Sequence, residues 1–394
     1  MKKMEDKKSQ VVVMGCESYD TGLVYEKLKT AIGLLGGIEK FIDKDERILI
    51  KPNLLRGKNP EAGITTHPSV FEAMVRIVTE QGVKRLSYGD SPGFGSPSNV
   101  AKDSGLWEVA KKYELPLDEF SHGETVDYLL GAVTKRFEIA EAVLASDGII
   151  SLSKMKTHGL TRITGAVKNQ LGCVYGLNKS MSHARYPDAD SFSKMLVDLN
   201  RYLNPKLRLF VMDGIVAMEG NGPASGNPLP MKVLLVSDDP VALDATFARM
   251  IDLDPNLVPT IVNGEEMGLG NASEDRIELL GDPWETFFNP NFEVVRMPAA
   301  DDDVTSKFAI FAQIKDLLIQ KPVVDKEKCI GCGICEQSCP LEKKAIKMVQ
   351  RKRRKYPLYF YNRCIRCYCC QEMCPAGAIS VKTPALGKLM LYKK

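Results

Sequence analysis

Two stretches near the C-terminal end repeat one figure: Cys329-Ile-Gly-Cys332-Gly-Ile-Cys335-Glu-Gln-Ser-Cys339-Pro340 and Cys364-Ile-Arg-Cys367-Tyr-Cys369-Cys370-Gln-Glu-Met-Cys374-Pro375. Each has three cysteines at every third position, then a fourth followed by proline. Nine of the 11 cysteines of this 394-residue chain fall between residues 329 and 374. The opening MKKMEDKKSQVVVMG is too acidic, and its apolar stretch too short, for a secretory signal. In a reducing compartment, cysteines clustered in this way point to metal or redox chemistry rather than to disulfides.

The doubled CxxCxxCxxxCP run is the signature of a bacterial-type two-cluster ferredoxin. Three thiolates two residues apart wrap a short loop around three corners of an iron–sulfur cubane, and the fourth points away to the other cluster. The expected ligands are Cys329, Cys332, Cys335 and Cys374 for one [4Fe–4S] cluster, and Cys364, Cys367, Cys370 and Cys339 for the second. Pro340 and Pro375 lack a backbone donor and help stop the local turn. Gly331 and Gly333 free backbone near the sulfurs. Structural zinc sites would instead require CxxC pairs with four ligands each. Cys369 occupies a position that the pattern leaves unused, and is either a small buried side chain or a spare thiol ligand. Cys16 and Cys173 read as packed core thiols.

Charge divides along the chain. The net charge is +3, yet from Lys321 onward 17 Lys/Arg face 5 Asp/Glu, a net of +12 against −9 before it. Two clusters of about −2 each leave the module near about +8. Together with RKRRK at 351–355, this suits docking of an acidic redox partner in a salt-dependent way. Nucleic acid is disfavoured, because Tyr356, Tyr359, Phe360 and Tyr361 alternate like a strand rather than like a stacking platform. No run approaches the roughly 18 apolar residues of a membrane span. A soluble, cytoplasmic protein is expected, and 44% hydrophobic with 26% charged residues argues against a disordered chain.

Before residue 300, short β-branched runs alternate with amphipathic helices, which implies an α/β domain with a mostly parallel sheet flanked by helices. Strands are expected at Val11–Gly15, Ile48–Asn53, Leu86–Gly89, Gly148–Lys154, Leu207–Asp213 and Lys232–Ser237. Phe71, Met74, Val75 and Val78 define one helical face, opened by Pro68 and stopped by Gly82. A second helix is expected from Ser96-Pro97 to about Tyr113. In open α/β sheets ligands bind beyond the carboxyl ends of the strands. If the strands are neighbours, Lys51, Lys154, Lys156, Lys168, Asn53, Asn169 and His158 converge there with Asp90, Asp213 and Glu219. Such a pocket suits an anionic small molecule held by ammonium groups and backbone N–H. Lys156, His158 and Lys168 are its catalytic candidates; Lys51, Asn53, Asp90, Asn169, Asp213 and Glu219 are its ligand-binding ones. His67 reads as a helix-opening residue, and His122 and His183 as surface. GxGxxG does not occur, so a nucleotide fold lacks support; GDSPG at 89–93 has the GxSxG spacing, but no Ser/His/Asp hydrolase is expected.

KPNLL at 51–55, TTHP at 65–68, GDSPG at 89–93, KMKTH at 154–158, TGAVKNQLG at 164–172, MEGNGP at 218–223 and DDPVALDA at 238–245 together resemble the DUF362 family over roughly residues 10–300. With a ferredoxin domain appended, the chain looks like the DUF362 iron–sulfur proteins of anaerobic bacteria and archaea. The resemblance implies the fold and the cofactor, while the family's reaction is unknown. Its recurrent polar positions match here at Lys51, Asn53, Asp90, His158, Lys168, Asn169, Asp213, Glu219, Asp239 and Asp244.

The expected organisation is an α/β domain over 1–303, a bridging helix over 304–320 (patterned on Ile310, Phe311, Ile314, Leu317 and Leu318 after Asp301–Asp303), and a small α+β two-cluster domain over 321–394. The leading functional reading is an electron carrier that relays single electrons to or from the large domain or a partner protein. Two others stay open: a reductase acting on an anionic small molecule in the α/β domain, and a non-enzymatic cofactor-maturation or scaffold protein.

Overall fold

The computed structural model describes residues 8–176, 178–296, 318–351 and 354–387. The chain opens with β1 (Ser9–Gly15), α1 (Thr21–Leu34), β2 (Arg47–Lys51), α2 (Pro68–Glu80) and β3 (Arg85–Tyr88). Then come α3 (Pro97–Asp103), α4 (Leu106–Lys112), the hairpin of β4 (Gly123–Asp127) and β5 (Arg136–Ala140), and α5 (Glu141–Ala145). The central elements are β6 (Gly148–His158), β7 (Arg162–Thr164), α6 (Ala166–Asn169), α7 (Asn178–Arg185) and α8 (Ala189–Leu203). The domain closes with β8 (Leu207–Glu219), β9 (Asn227–Ser237), α9 (Pro240–Met250), α10 (Pro259–Glu266) and β10 (Ile277–Gly281).

One eight-stranded sheet runs in the order β10-β1-β9-β8-β6-β2-β3, with β7 paired to β6. The β8–β6, β6–β2, β2–β3 and β1–β10 pairs are parallel. Only β9 and the short β7 run against their neighbours. The strands are apolar on both faces, as a doubly covered sheet requires. Val11 and Val13 enter one core with Leu49, while Val12, Ile48 and Ile50 enter the other. Helices α1 to α4 cover the second face, and α6, α8, α9 and α10 the first. The layers are therefore helix, sheet, helix, as expected.

Two features differ from the sequence expectation. The helix expected over about 96–113 is two helices, because the chain turns at Gly105, whose φ of 77° is open to glycine. Strands β6 and β8 run well past the expected ends at Lys154 and Asp213, reaching His158 and Glu219. Their shared register shifts between Lys154 and Lys156, a bulge that re-aims the polar end of β6. The bridging helix expected over 304–320 lies outside the described residues except for 318–320.

The C-terminal module is built from two antiparallel pairs. β11 (Lys321–Val324) pairs with β14 (Ile379–Lys382), and β12 (Ile346–Arg351) with β13 (Arg354–Tyr359). The cysteine loops follow β11 and β13, and each ends in a one-turn helix, Ile334–Gln337 and Cys369–Glu372. Among the described residues no helix is long and apolar enough to cross a membrane.

Candidate functional site

The two cysteine loops take one backbone path. Positive φ occurs immediately before and after the middle cysteine in both, at Gly331 (70°) and Gly333 (80°) and again at Arg366 (58°) and Tyr368 (61°). A Cβ on Gly331 would also sit 2.8 Å from the Lys355 carbonyl oxygen, so that position needs glycine twice over. On this path Cys335, Cys367 and Cys370 are buried while Cys332 stays exposed. Cys329, Cys332 and Cys335 line a cavity together with Cys374 of the other motif, and apart from these thiols the lining is mostly apolar, including Ile330, Met348 and Pro357. Burial pushes the Cys335 thiol up to about 11, and Cys332, Cys374 and Cys329 lie near enough to add to it. Cys339 lies near enough to Cys364 of the second loop to act on its thiol. Backbone N–H groups point at sulfur in both halves: Ala345 to Cys339 Sγ at 3.4 Å and Ala378 to Cys374 Sγ at 3.2 Å. The Tyr359 hydroxyl donates to Cys370 Sγ at 3.5 Å. The four thiols around this cavity, without carboxylate or imidazole and on loops that aim N–H donors at sulfur, fit an iron–sulfur cubane.

The module is seated on the carboxyl end of the sheet by buried polar contacts. Glu372 Oε1 lies 2.7 Å from His158 Nε2 at the tip of β6. Gln371 Nε2 donates to the Asn221 and Gly222 carbonyls, both at 2.9 Å. Asn221 Nδ2 donates in return to the Ile379 carbonyl at 2.9 Å. Arg56 Nη1 donates to the Cys374 carbonyl at 3.0 Å. The stretch MEGNGP, with its Gly222, is thus part of the seat for the module: a Cβ on Gly222 would lie 2.4 Å from the Thr157 carbonyl oxygen.

Between the two parts lies a cavity of about 800 Å³. The α/β domain contributes Asn53, Asp90, Lys156, Thr164, Lys168, Asn169, Lys179 and His183; the module contributes Cys339, Lys344, Cys369, Glu372 and Met373. Lys156 is fully engaged, donating to Asn53 Oδ1 and the Ile64 carbonyl, both at 2.7 Å. Burial, then Lys168 beside it, hold its ammonium well below the usual lysine range. Lys179 donates to the Ser91 and Pro92 carbonyls, and burial lowers it to about 8. Lys168 is carried by α6, whose start is fixed by Asp244 accepting from the N–H groups of Ala166 (2.6 Å) and Val167 (3.2 Å). A Cβ on Gly165 would fall 1.9 Å from that carboxylate, which accounts for the glycine of TGAVKN. Burial lowers Lys168, opposed by Glu372 and Cys369 of the module.

Several residues expected in the pocket stand elsewhere. Lys51 is behind its wall, paired with Asp90 Oδ1 at 2.8 Å and donating to the Asn169 carbonyl at 2.6 Å. Lys154 and Asp213 form a separate buried pair at 2.8 Å, completed by the Tyr19 hydroxyl, and Tyr19 stacks on His67. Asp213 Oδ2 also accepts the His67 N–H, so this network ties the loops after β1 and β2 to β8. Glu219 accepts the Glu293 N–H and lies outside the cavity. His158, a candidate proton donor in the sequence, is behind Glu372. Its Nδ1 accepts the Leu160 and Thr161 N–H groups (3.0 and 3.2 Å), so its proton sits on Nε2 and is held by Glu372. His158 therefore positions Glu372 rather than giving up a proton. Asp239 caps α9 through the N–H groups of Val241 and Ala242. His67 caps α2 as expected, Nδ1 accepting from Ser69 N–H. His183, expected on the surface, is 5% exposed and stacks on Phe192. The polar helix NKSMSHAR gave no sign of this, since its burial comes from α8 and the cavity wall. Glu372 and Gln371 were also missed; two polar residues inside a cysteine loop were the available signal.

Three histidines set an acid limit. Burial lowers His67 to about 4, His158 to about 4 and His183 to about 3. Each is neutral when folded and takes up a proton on unfolding below its unperturbed value of about 6.5. Their contribution is complete above about pH 6.5 and lost as pH falls toward 4, at about 1.4 kcal/mol per pH unit for each histidine. The urea midpoint of the holoprotein should fall steeply between pH 6.5 and 4.5, and His67→Gln should flatten the slope by about one third. A flat profile would contradict the buried neutral state.

An α/β domain with a paired-cysteine module closing the carboxyl end of its sheet is the class defined by this geometry. The chain belongs to the DUF362 family, a domain of unknown function whose model matches residues 48–249, and a 4Fe-4S dicluster domain matches residues 328–378. The C-terminal part is therefore an iron–sulfur domain of ferredoxin type. A thylakoid-associated protein of Synechocystis sp. is 34% identical over 277 residues, 70% of this chain and 84% of the relative. Among solved structures, the lactate racemase apoprotein from Thermoanaerobacterium thermosaccharolyticum superposes with a TM-score of 0.38 at 9% identity, covering 61% of this chain and 56% of that one. A protein from Thermotoga maritima gives a TM-score of 0.30 at 13% identity, covering 50% and 51%. This chain spans little more than half the length of either structure, and likeness at this level carries nothing about function.

Proposed function

We propose that the protein is an iron–sulfur electron-transfer protein of a reducing, cytoplasmic compartment, and that its electrons serve a small anionic molecule bound in the cavity between module and α/β domain. Cys329, Cys332, Cys335 and Cys374 are assigned to one [4Fe–4S] cluster, and Cys339, Cys364, Cys367 and Cys370 to the other. When bound, these clusters supply one-electron transfer. The observation that carries the reading is the composition of the cavity wall. Cys339, a ligand in this assignment, and Cys369, next to the ligand Cys370, face Lys156, Lys168 and Asn169 across one space.

The other cysteine quartet supports a docking face for the donor. Ile330 is 69% exposed and Cys332 is exposed, within a strongly basic module that includes Lys326, Lys328 and Lys355. This arrangement suits an acidic carrier protein. Lys168, which lines the cavity, gives it a preference for anions, and Glu372, held by His158, completes the module side.

The test uses anaerobic holoprotein reduced beforehand and freed of reductant. Low-molecular-mass anions from a cell extract should reoxidise it, seen as recovery of the visible absorbance of the oxidised clusters. Lys168→Met should slow that recovery at least about tenfold while leaving oxidation by a large protein acceptor unchanged. If the variant is reoxidised by the anion fraction as fast as the wild type, the cavity is not where the electrons go.

A further inference from the structure

Among the polar groups of the cavity, most are already satisfied by the protein. Lys156 and Lys179 make the bonds described above, Asp90 pairs with Lys51, and Glu372 pairs with His158. Three residues differ. Thr164 Oγ1 and His183 Nδ1 have no hydrogen-bond partner, although Thr164 is 3% and His183 5% exposed. Lys168 has an ammonium that lines the cavity, with no hydrogen bond or ion pair recorded among the described residues. A buried hydroxyl or imidazole left without a partner is costly, and two such groups beside a half-buried ammonium on one wall are unusual. They come from β7, α6 and α7, so the fold gathers them from three elements around the turn after β7.

We infer that Lys168, Thr164 and His183 form a seat for an oxyanion, a carboxylate or a phosphate, opposite Cys369 and Glu372 of the iron–sulfur module. The inference rests on the reading of this cavity as the ligand site and adds which residues grip the ligand and by which group. A hydroxyl, an ammonium and an imidazole N–H are the donor set that an oxyanion accepts from. Lys168 supplies the net attraction, and Thr164 and His183 supply direction. Among the described residues Glu372 is the one carboxylate that acts on Lys168, and its Oε1 is drawn off by His158, so the ammonium stays available to the ligand. Because the seat adjoins the cysteine loop 364–374, an electron added to the module is a negative charge beside a bound anion. Binding and reduction then oppose one another, and by linkage the effect is reciprocal.

The experiment measures anion binding to the anaerobic, full-length holoprotein by titration calorimetry, with inorganic phosphate in one arm and acetate in the other. The protein is compared oxidised and electrochemically reduced with methyl viologen as mediator, since dithionite itself yields oxyanions. One site per chain is expected for at least one anion, and the arm that binds identifies phosphate or carboxylate. Lys168→Met should weaken it about tenfold or more, Lys168→Arg should restore it to within about threefold, and Thr164→Val and His183→Gln should each weaken it about threefold to tenfold. The reduced protein should bind at least about threefold more weakly than the oxidised. If Lys168→Met fails to assemble with full iron content, Thr164→Val and His183→Gln carry the test. Unchanged binding in both, or no binding of either anion up to about 50 mM, overturns the seat. Intact phosphate or acetate binding in a protein whose electrons bypass the cavity would instead overturn the functional reading and leave the seat standing.

Discussion

Replacing Cys339 by alanine should lower the iron content of anaerobically prepared protein from about eight to about four atoms per chain. The second substitution is the informative one. Cys339 belongs by sequence to the first motif but stands beside Cys364 of the second, while Cys374 joins Cys329, Cys332 and Cys335 around one cavity. Under this crossed assignment Cys339→Ala with Cys364→Ala strikes the same cluster twice and keeps about four irons. Cys339→Ala with Cys329→Ala strikes both and should leave almost none. Iron and acid-labile sulfide counts on the two double variants decide the matter, with the EPR of the reduced protein as a second readout. The opposite ranking would mean that each motif encloses its own cluster, and the account of the module would fall with it.

Glu372→Ala is the second large effect. The side chain of Glu372 is buried, carries the hydrogen bond from His158 Nε2 and lies near Lys168. Its carboxyl is held below the usual carboxylate range; burial alone would raise it, and His158 and Lys168 overcome that. Removing the acceptor of a buried hydrogen bond costs about 1–3 kcal/mol, because the donor left behind is unsatisfied. A drop of about that size is expected from urea unfolding of the holoprotein, and a smaller one for Glu372→Gln, which can still accept from Nε2–H. His158→Ala should be destabilising too, and the double variant less so than the sum of the singles, with a coupling of about 1–3 kcal/mol. Strict additivity would show that the contact is incidental.

Much of this molecule was legible in its residues, and what was not has a physical cause. The six strands expected in the large domain all occur, since each is an apolar run whose successive side chains feed two different cores, as Val11, Val12 and Val13 do. The antiparallel course of β9 was not legible, because a buried strand reads alike in either direction. The overrun of β6 to His158 was hidden by its charges. Lys154, Lys156 and His158 look like loop residues until Asp213, Asn53 and Glu372 are known to meet them. For the site, the motif that names Lys168 and Asn169 was readable, but pairing between distant segments was not. That pairing placed Lys51 and Asp213 in satisfied structural networks and brought His183 to the cavity.

The turn Cys369–Glu372 binds these themes together, for its four residues face four different neighbours: the cavity, the second cysteine quartet, the Asn221 loop and His158. A ferredoxin lacking Gln371 and Glu372 would bring the cysteines but leave His158 without its partner and Asn221 without the Gln371 bond. The module is thus no interchangeable cartridge: the two halves were cut to one another, and a functional transplant must carry this turn intact.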